Sequence, residues 1–427
     1  MKHDLLFSNI EEVKDDSYII ATYYMELEHG KSILDAANKM AIGQTLGTWV
    51  SVPGITEEMR KKHIGKIVGI YNAPPFELTK QIDCRKENQK YIIQMAYPII
   101  NFDDSLAMLL TTIMGNDAST SAQVKLMDVH FPKSYFNNLS GPKYGIKGVR
   151  KLLNIEDRPL ILNMIKPCLG FDAVEGAKLL YQTALSGVDI IKDDELLGNP
   201  IFCPVEKRVK EYLKAVEAAY EKTGKRVLYI PNITGSNESM IYNAEKAIEH
   251  GAQALMVNFA AAGYGALREI SSKFNVPILG HYAGSGMWYE GVDNGVSSPL
   301  AVGKFPRISG ADMAVINTPY GGYPLVDYKY FLTVKELTAK LYNIKPVFPA
   351  VGGGVHPGMV HKLISELGND IIIAAGGAIQ GHPDGVIAGG KAMMQSVQAS
   401  ISNTAILDYA MENSELDAAV KKWGVLE

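Results

Sequence analysis

A repeating pattern over the last two thirds of the chain limits its possible folds more than any other feature. Eight short apolar runs rich in β-branched residues recur, and helix-length amphipathic stretches follow them, for example at 173–186 and 207–221. The runs are 160–165, 188–192, 227–230, 254–259, 276–279, 313–316, 346–350 and 371–374. Eight alternating units predict a parallel (β/α)8 TIM barrel. The alternative is a doubly wound open sheet, but no Gly-x-Gly-x-x-Gly sequence opens the first unit.

The first 140 residues do not follow this alternation. Strand-like runs and helical stretches are mixed there, at 18–24, 32–42, 67–70, 91–97 and 105–114. Such a mixture predicts a small α+β domain with an antiparallel, ferredoxin-like sheet. Ser140-Gly141-Pro142 interrupts the pattern. The predicted fold class is therefore α/β, with an N-terminal domain at 1–140 and a C-terminal barrel at 141–427.

Composition and charge exclude several classes of partner. Apolar residues make up 47% of the chain, charged residues make up 21%, and the net charge is −4. A soluble globular protein with no attraction to nucleic acid or to an anionic membrane is expected. Apolar runs are shorter than the roughly 18 residues of a spanning helix, and the acidic N-terminus does not resemble a signal peptide. Three cysteines without a ligand spacing favour a reducing cytoplasm.

The second predicted barrel strand ends in a charged cluster. Lys192 and Asp194 share one face because strand side chains alternate, and Glu195 follows where the strand ends. Adjacent carboxylates at the mouth of a barrel repel one another unless a cation lies between them. A hard cation with oxygen ligands, above all Mg²⁺, is the predicted occupant. The alternative is a solvated acidic loop, and Lys192 is an unusual neighbour because an ammonium cannot bind a cation.

The first predicted barrel strand ends with a lysine inside an apolar run. Lys166 precedes Pro167, and burial together with a nearby metal would lower its pKa and suit it to proton transfer. The alternative is a lysine that extends its ammonium to solvent.

Two glycine clusters follow the seventh and eighth predicted strands. Gly353 and Gly354 lie in the first cluster, and Gly376 and Gly377 lie in the second. Barrel enzymes commonly bind phosphate with these two loops, where bare backbone N–H groups meet the anion. Tight turns are the alternative. The clusters predict a phosphate site that takes a sugar phosphate.

Two further polar residues close predicted strands. His281 follows the fifth strand and is a candidate for contact with a substrate hydroxyl or carbonyl. Asn232 follows the third strand and is a candidate substrate contact of similar strength. For both, a satisfied structural residue is the alternative.

Together these motifs resemble the RuBisCO superfamily over nearly the whole chain. The run 187–195 resembles the family's metal-site sequence, and Ile165-Lys166-Pro167 resembles its catalytic lysine motif. In that family CO₂ carbamylates the lysine in the position of Lys192, which turns an ammonium into an anionic oxygen ligand. The resemblance therefore implies Mg²⁺ bound by carbamylated Lys192, Asp194 and Glu195.

The N-terminal half carries further matches to the family. Thr48, Trp49 and Asn116 resemble residues that complete the active site of a neighbouring subunit. The resemblance implies a homodimer or an assembly of dimers. Lys125 lies in a segment that resembles the methionine-salvage enolases of the family, and it is a candidate substrate contact.

Several positions depart from the carboxylases of the family. Where those enzymes carry a glutamate, a lysine, an arginine and two histidines, this chain has Gly43, Cys168, Tyr282, Ser285 and Val315. The loop 318–324 also lacks the lysine that carboxylases bring to the added CO₂. Electrostatic stabilisation of a carboxylated adduct is not expected from such a set. The departures imply a RuBisCO-like protein of form IV whose substrate has one phosphate.

Three functions remain open on the sequence. The first is Mg²⁺-dependent enolisation of a ketose monophosphate, as in the enolases that tautomerise 2,3-diketo-5-methylthiopentyl-1-phosphate. Gln123 stands where those enolases carry a base lysine. The second is decarboxylation or hydrolysis of a 3-oxo-acid sugar phosphate through an enediolate. The third is a non-catalytic binding role, against which the retention of four buried charges argues.

Overall fold

The computed structural model describes residues 6–13, 17–47, 52–83 and 86–426. The chain divides into two compact units, one of Met1–Ser140 with Ser285–Ala301 and one of Gly141–Gly284 with Val302–Glu427. The segment Ser285–Ala301 was expected within the barrel. It belongs to the first unit because its short strand Gly295–Val296 pairs with a strand of that unit.

The first unit is built on a five-stranded sheet. Its strands are β1 (Tyr18–Leu27), β2 (Lys66–Ala73), β3 (Gln89–Pro98), β4 (Lys125–His130) and β10 (Gly295–Val296). Their order is β10-β4-β1-β3-β2, and every pairing is antiparallel except that of β10 with β4. Buried and partly exposed residues alternate along most of β1, so one face of this strand packs inward.

Short helices accompany this sheet. They are α1 (Ile10–Val13), α2 (Ile33–Gly43), α3 (Glu57–His63), α4 (Thr79–Asp83), α5 (Leu106–Ile113) and α12 (Gly286–Tyr289). The side chains of Ser32, Thr56 and Ser105 cap the N-termini of α2, α3 and α5 by accepting backbone N–H groups. The mixture confirms an α+β N-terminal unit.

The second unit is a barrel of eight parallel strands. They are β5 (Leu160–Met164), β6 (Ile190–Lys192), β7 (Leu228–Ile230), β8 (Leu255–Asn258), β9 (Ile278–His281), β11 (Met313–Asn317), β12 (Phe348–Gly352) and β13 (Ile372–Ala375). The order is β7-β6-β5-β13-β12-β11-β9-β8. The two outer strands are joined by a parallel bridge between Asn232 and Met256. A barrel, rather than an open sheet, is therefore confirmed.

Helices alternate with these strands along the chain. They are α6 (Gly145–Leu153), α7 (Ala173–Leu185), α8 (Val205–Thr223), α9 (Asn237–Glu249), α10 (Phe259–Ala262), α11 (Tyr264–Lys273), α13 (Phe305–Ile308), α14 (Asp327–Thr338), α15 (Val360–Leu367), α16 (Gly377–Gln380), α17 (Val386–Ile401), α18 (Ile406–Met411) and α19 (Ser414–Trp423). Single turns of 3₁₀- or π-helix occur in the chain at Ile99–Asn101, Asp117–Ser121, Lys133–Phe136, Pro299–Lys304 and Pro357–Met359.

The barrel interior is a packed apolar core. Leu162, Ile190, Leu279 and Val315 belong to one buried cluster to which all eight strands or their immediate flanks contribute. Helix α6 adds Ile146 and Val149 to the same cluster. Because the interior is filled by side chains, the strands are fixed and their carboxyl ends form a rigid base for the residues that follow them.

Within the described residues, no helix is both long and apolar enough to cross a membrane.

Candidate active site

Five of the predicted site residues lie at the carboxyl ends of barrel strands. Lys192 is the last residue of β6, Asp194 and Glu195 follow it by two and three residues, and His281 is the last residue of β9. Lys166 follows β5 by two residues. Since all eight strands are parallel, these side chains lie at the same end of the barrel.

Lys192 is fully buried. Its Nζ donates to the backbone carbonyl of Asp193 at 2.9 Å and lies 3.6 Å from Oε2 of Glu195. Burial lowers the pKa of this lysine, although the carboxylates of Glu195 and Asp194 oppose the effect. Its amine is therefore easier to deprotonate than that of a lysine in water.

Lys166 forms the closest ion pair of the site. Its Nζ lies 2.6 Å from Oδ2 of Asp194 and 3.1 Å from Sγ of Cys168. Burial disfavours its charge, but the hydrogen bond and attraction to Asp194 outweigh burial and raise its pKa. The sequence predicts a lowered pKa for Lys166 beside a bound metal; while Lys166 pairs with Asp194, its pKa is raised instead, because the carboxylate is a direct partner of the ammonium.

The donor set fits a hard cation only in a modified form. Asp194 and Glu195 supply two carboxylates, and among the described residues no group of three or more His, Cys, Asp or Glu side chains is placed to hold a metal. A third anionic oxygen ligand would arise if Lys192 were carbamylated. Its burial between these carboxylates and its lowered pKa suit that reaction, which requires a neutral amine.

His281 lies beside the same carboxylate as a neutral imidazole. Its Nδ1 accepts the backbone N–H of Ala283 at 3.1 Å, so the ring proton resides on Nε2, which lies 3.6 Å from Oε2 of Glu195. Burial, followed by the charges of Lys192 and Lys166, places its pKa well below the usual value. His281 can therefore donate a hydrogen bond at neutral pH without carrying charge.

Asn232 has a different role from the predicted substrate contact. Its side chain is fully buried, and its Nδ2 donates to the carbonyl oxygens of Asp194 at 3.3 Å and Glu195 at 3.0 Å. Its Oδ1 accepts both the backbone N–H and the hydroxyl of Thr234. With these groups occupied inside the protein, Asn232 positions the backbone of the two acidic residues.

A buried ion pair holds the loop of Asp193, Asp194 and Glu195 that follows β6, here called the acidic loop. Arg208 of α8 donates Nε to Oδ2 of Asp193 at 3.0 Å, and both side chains are fully buried. Arg208 also donates to the carbonyls of Cys203 and Gly198, and the hydroxyl of Tyr229 donates to Asp193. These residues were missed because Asp193 reads in the sequence as one more acid of the cluster.

The second asparagine near the loop was also missed. Asn258 ends β8, and its Nδ2 donates to the carbonyl of Glu195 at 2.8 Å. Its Oδ1 is buried and has no hydrogen-bond partner among the described residues. Its position at the end of an apolar strand is the signal that could have found it.

The two glycine clusters differ in conformation. Gly353 and Gly354 have φ values of +89° and +100°, which only glycine adopts without strain. Gly376 is packed closely, since a Cβ there would lie 2.7 Å from Sδ of Met164 and 3.5 Å from Cε of Lys166. A Cβ on Gly377 would meet nothing within 4 Å in the part of the chain that the structure describes. The second cluster is thus directly adjacent to Lys166.

A neutral pair lies between His281 and the first glycine cluster. The ring of Tyr282 stacks on His281 with centroids 5.2 Å apart, and its hydroxyl donates to Oδ1 of Asn317. Asn317 ends β11, and a Cβ on Gly353 would lie 3.1 Å from its Oδ1. The barrel edge between β9 and β12 therefore presents an aromatic ring and an amide.

The remaining predicted contacts lie in the first unit. Lys125 donates Nζ to the carbonyls of Tyr289 at 2.9 Å and of Gly291, so it holds the segment after α12 within its own unit. Asn116 is exposed. Thr48 and Trp49 lie outside the described residues.

Two family models match almost the whole chain. The ribulose bisphosphate carboxylase large chain, catalytic domain, matches residues 145–423, and the N-terminal domain of the same large chain matches residues 7–135. The chain belongs to the RuBisCO large-chain family. The positions at which this chain differs from the carboxylases are therefore differences between members of one family.

Similar proteins include RuBisCO-like members of the family. A ribulose bisphosphate carboxylase-like protein of Archaeoglobus fulgidus is 42% identical, with 95% of this chain and 92% of that protein aligned. A 2,3-diketo-5-methylthiopentyl-1-phosphate enolase of Geobacillus thermodenitrificans is 35% identical, with 96% and 99% aligned.

Solved structures of the family resemble the chain over its length. The rubisco-like protein MtnW of Alicyclobacillus acidocaldarius has a TM-score of 0.86 at 31% identity, covering 95% of this chain and 100% of that one. A dimeric archaeal Rubisco of Hyperthermus butylicus has a TM-score of 0.86 at 29% identity, covering 100% of both chains.

Proposed function

We propose that this enzyme is a RuBisCO-like enolase that tautomerises a ketose monophosphate, such as 2,3-diketo-5-methylthiopentyl-1-phosphate, and does not fix CO₂. One observation carries the proposal. Lys166 pairs with Asp194, and Lys192 and His281 both lie 3.6 Å from the carboxylate of the next residue, Glu195, at one end of the barrel. Relatives that align over nearly the full chain carry the name of this enolase.

The glycine clusters after β12 and β13 are proposed to bind the phosphate. Bare backbone N–H groups at glycine-rich turns suit an anion. Gly376 lies next to Lys166, so a phosphate held at the second cluster would place the adjoining carbon atoms of the substrate near that amine. Gly353 and Gly354 would contact the same phosphate from the neighbouring strand.

The cofactor proposal is Mg²⁺, held by Asp194, Glu195 and a carbamate on Lys192. When bound there, the cation would supply Lewis-acid polarisation of a substrate carbonyl.

Proton transfer is assigned to the chain's own groups. Enolisation moves a proton from carbon to a base of the site while a carbonyl oxygen gains one from an acid. Lys166 is protonated while it pairs with Asp194 and can donate to that oxygen. If Asp194 were engaged by a bound cation, Cys168 would oppose the burial of Lys166 without the help of that carboxylate, and burial would favour a neutral amine, which could accept the carbon proton. The neutral Nε2–H of His281 is a second donor at the same edge.

The neutral pair Tyr282–Asn317 favours a substrate with one phosphate. A second phosphate bound beside Tyr282 and Asn317 would meet an aromatic ring and an amide and no cation from this pair. An uncharged substrate end, such as a thioether, can pack on the ring. The loop 318–324 contains no lysine, so it offers no cationic side chain to stabilise an added carboxylate.

The decisive experiment is proton exchange followed by NMR in D₂O. The enzyme is incubated with Mg²⁺, bicarbonate and a panel of sugar monophosphates that includes the diketo substrate. Deuterium should enter the carbon next to the carbonyl of one member, with no loss of carbon or phosphate. Release of CO₂ or of inorganic phosphate would instead support the decarboxylase or hydrolase. Incorporation of labelled CO₂ into phosphoglycerate from ribulose bisphosphate, above a Lys192→Ala control, would overturn the proposal.

A homodimer or an assembly of dimers is proposed as the active form. Thr48, Trp49 and Asn116 resemble residues that reach a partner's active site, and one family structure of similar fold is named as a dimer.

A further inference from the structure

The loop after β11 is hydrogen-bonded to the loop after β12. Gly322 donates its backbone N–H to the carbonyl of Gly353 at 2.7 Å, and Thr318 donates to the carbonyl of Gly352 at 3.1 Å. The loop 318–324 therefore extends the pairing of β11 with β12 beyond the strands. It lies along the backbone of the first glycine cluster.

One glycine of this loop makes the approach possible. A Cβ on Gly321 would lie 1.5 Å from the carbonyl oxygen of Gly353 and 2.6 Å from its carbonyl carbon. From the other side, a Cβ on Gly354 would lie 3.1 Å from the nitrogen of Gly322. Backbone packs on backbone here, so any side chain at Gly321 must push the two loops apart.

A tyrosine fixes the same loop to the helix that follows β12. The hydroxyl of Tyr320 donates to Oε1 of Glu366 on α15, and the backbone N–H of Tyr320 donates to the hydroxyl of Thr318. Lys362 of the same helix lies 3.9 Å from Glu366. The loop is thus held at three points: at Thr318, at Tyr320 and at Gly322.

We propose that the loop 318–324 is a fixed support for the first glycine cluster rather than a lid that opens, and that Gly321 is a positioning residue for phosphate binding. This inference rests on the proposed phosphate site. The loop makes no side-chain contact with phosphate in this proposal. It determines where the N–H groups of Gly353 and Gly354 lie, and a shift of about 1 Å would lengthen their hydrogen bonds to an anion beyond the usual range of about 2.7–3.2 Å.

Two adjacent glycines offer a matched test. A Cβ on Gly322 would meet no atom of the described residues within 4 Å, and neither glycine has a φ in the left-handed region. Gly321→Ala and Gly322→Ala therefore add the same methyl group, and only the first collides with the phosphate loop. Binding of inorganic phosphate is measured by calorimetry, and KM and kcat are measured with the sugar monophosphate found active.

The expected result is a split between the two variants. Gly321→Ala should raise the Kd for phosphate and the KM by about tenfold or more, with a smaller change in kcat, while Gly322→Ala stays within about twofold of wild type. Tyr320→Phe should raise both constants by about threefold, since it removes one of three attachments. Equal affinities of the two glycine variants, with wild-type protein binding phosphate, would overturn this inference alone. Absence of phosphate binding by wild-type protein would overturn the phosphate site as well.

Hydrogen exchange on wild-type protein decides the matter even if Gly321→Ala does not fold. The amides of Thr318 and Gly322 are hydrogen-bonded to β12 and its loop, so they should exchange slowly without ligand. Saturating phosphate should change their rates by less than about twofold, because a support does not close. Fast exchange without ligand, followed by strong protection with phosphate, would show a lid and contradict the proposal.

Discussion

The two lysines of the site differ in what surrounds them, and this difference assigns them different tasks. Lys192 is fully buried and faces two carboxylates, whereas about a third of the Lys166 side chain remains exposed. A buried ammonium is costly unless it is paired or neutralised. Carbamylation would remove the positive charge of Lys192 and add an anionic oxygen, whereas Lys166 keeps its charge through Asp194.

The first prediction separates these tasks by mutation. Lys192→Ala should lose Mg²⁺ affinity and activity together, because only two carboxylate ligands remain. Lys166→Ala should retain Mg²⁺ binding and lose mainly kcat, by about a hundredfold or more, as expected for a proton-transfer group. Calorimetric titration with Mg²⁺ in the presence of bicarbonate, together with kinetics, measures both effects.

The control for this prediction is the amount of CO₂ dissolved in the buffer. Wild-type protein in CO₂-depleted buffer should resemble Lys192→Ala in Mg²⁺ affinity and regain it when bicarbonate is added. Full activity in CO₂-depleted buffer with EDTA would contradict both the carbamate and the metal.

The second prediction concerns a buried carboxylate at the opposite end of β6. Asp189 accepts two hydrogen bonds of 2.7 Å from Arg158 and lies 3.0 Å from Lys225. Burial opposes its charge, but these cations outweigh burial and lower its pKa. A lowered pKa in the folded state stabilises the fold above the unfolded pKa of about 3.9, and this contribution is lost as the pH falls further.

Asp189→Asn should therefore cost about 3 kcal/mol of unfolding free energy at pH 7, and the difference from wild type should shrink below about pH 4. Asp370→Asn is the matched control, since Asp370 pairs with Arg150 but its side chain is 64% exposed. That substitution should cost less than about 1 kcal/mol. Urea unfolding at several pH values measures both, and equal costs would contradict the assignment.

At the scale of elements, the barrel strands could be predicted from the sequence because they are buried on both faces. Continuous apolar runs marked all eight, within two residues at either end. Strand β4 and the two-residue β10 were not recognised. Strand β4 contains charged residues because its buried positions alternate with exposed ones, so it lacks a continuous apolar run. Strand β10 forms only by pairing with a partner about 170 residues away, which a local pattern cannot indicate.

Part of the site could be predicted in the same way, from the residues that end the apolar strands. Residues that close apolar strands led to Lys192 and His281, and the same rule would have reached Asn258 and Asn317. The role of Asn232 could not be read, because it depends on which carbonyls its amide meets in three dimensions.

The third prediction tests how helix α8 supports the acidic loop. Arg208→Met should destabilise the protein by about 3–5 kcal/mol, because Asp193 would remain buried without its cation. Lys214→Met on the same helix removes an exposed pair with Glu211 and should change stability by less than about 1 kcal/mol. Thermal and urea unfolding measure the two variants. A cost for Arg208→Met as small as that of Lys214→Met would contradict the supporting role of the buried pair.

At the scale of the whole molecule, three large apolar side chains are exposed in the segment that follows Glu195. Ile201 is 99% exposed, Leu196 is 62% exposed and Phe202 is 48% exposed. These side chains follow Glu195 within seven residues. Exposed apolar clusters that adjoin a site commonly mark an interface, and a second copy of this chain is the occupant that the homodimer proposal requires.

The fourth prediction follows from that surface. Ile201→Asp should weaken self-association, because a carboxylate buried in an interface without a partner is strongly unfavourable. Met411→Asp on α18 is the control, as Met411 is also highly exposed but lies on another element. Light scattering should give a dimer or larger assembly for wild type and Met411→Asp, and smaller species for Ile201→Asp at low micromolar protein.

If Thr48, Trp49 and Asn116 serve a partner's site, specific activity of Ile201→Asp should fall on dilution and recover on concentration. A monomeric wild type with full activity at nanomolar concentration would refute the dimer, and a concentration-independent Ile201→Asp would remove this surface from the interface.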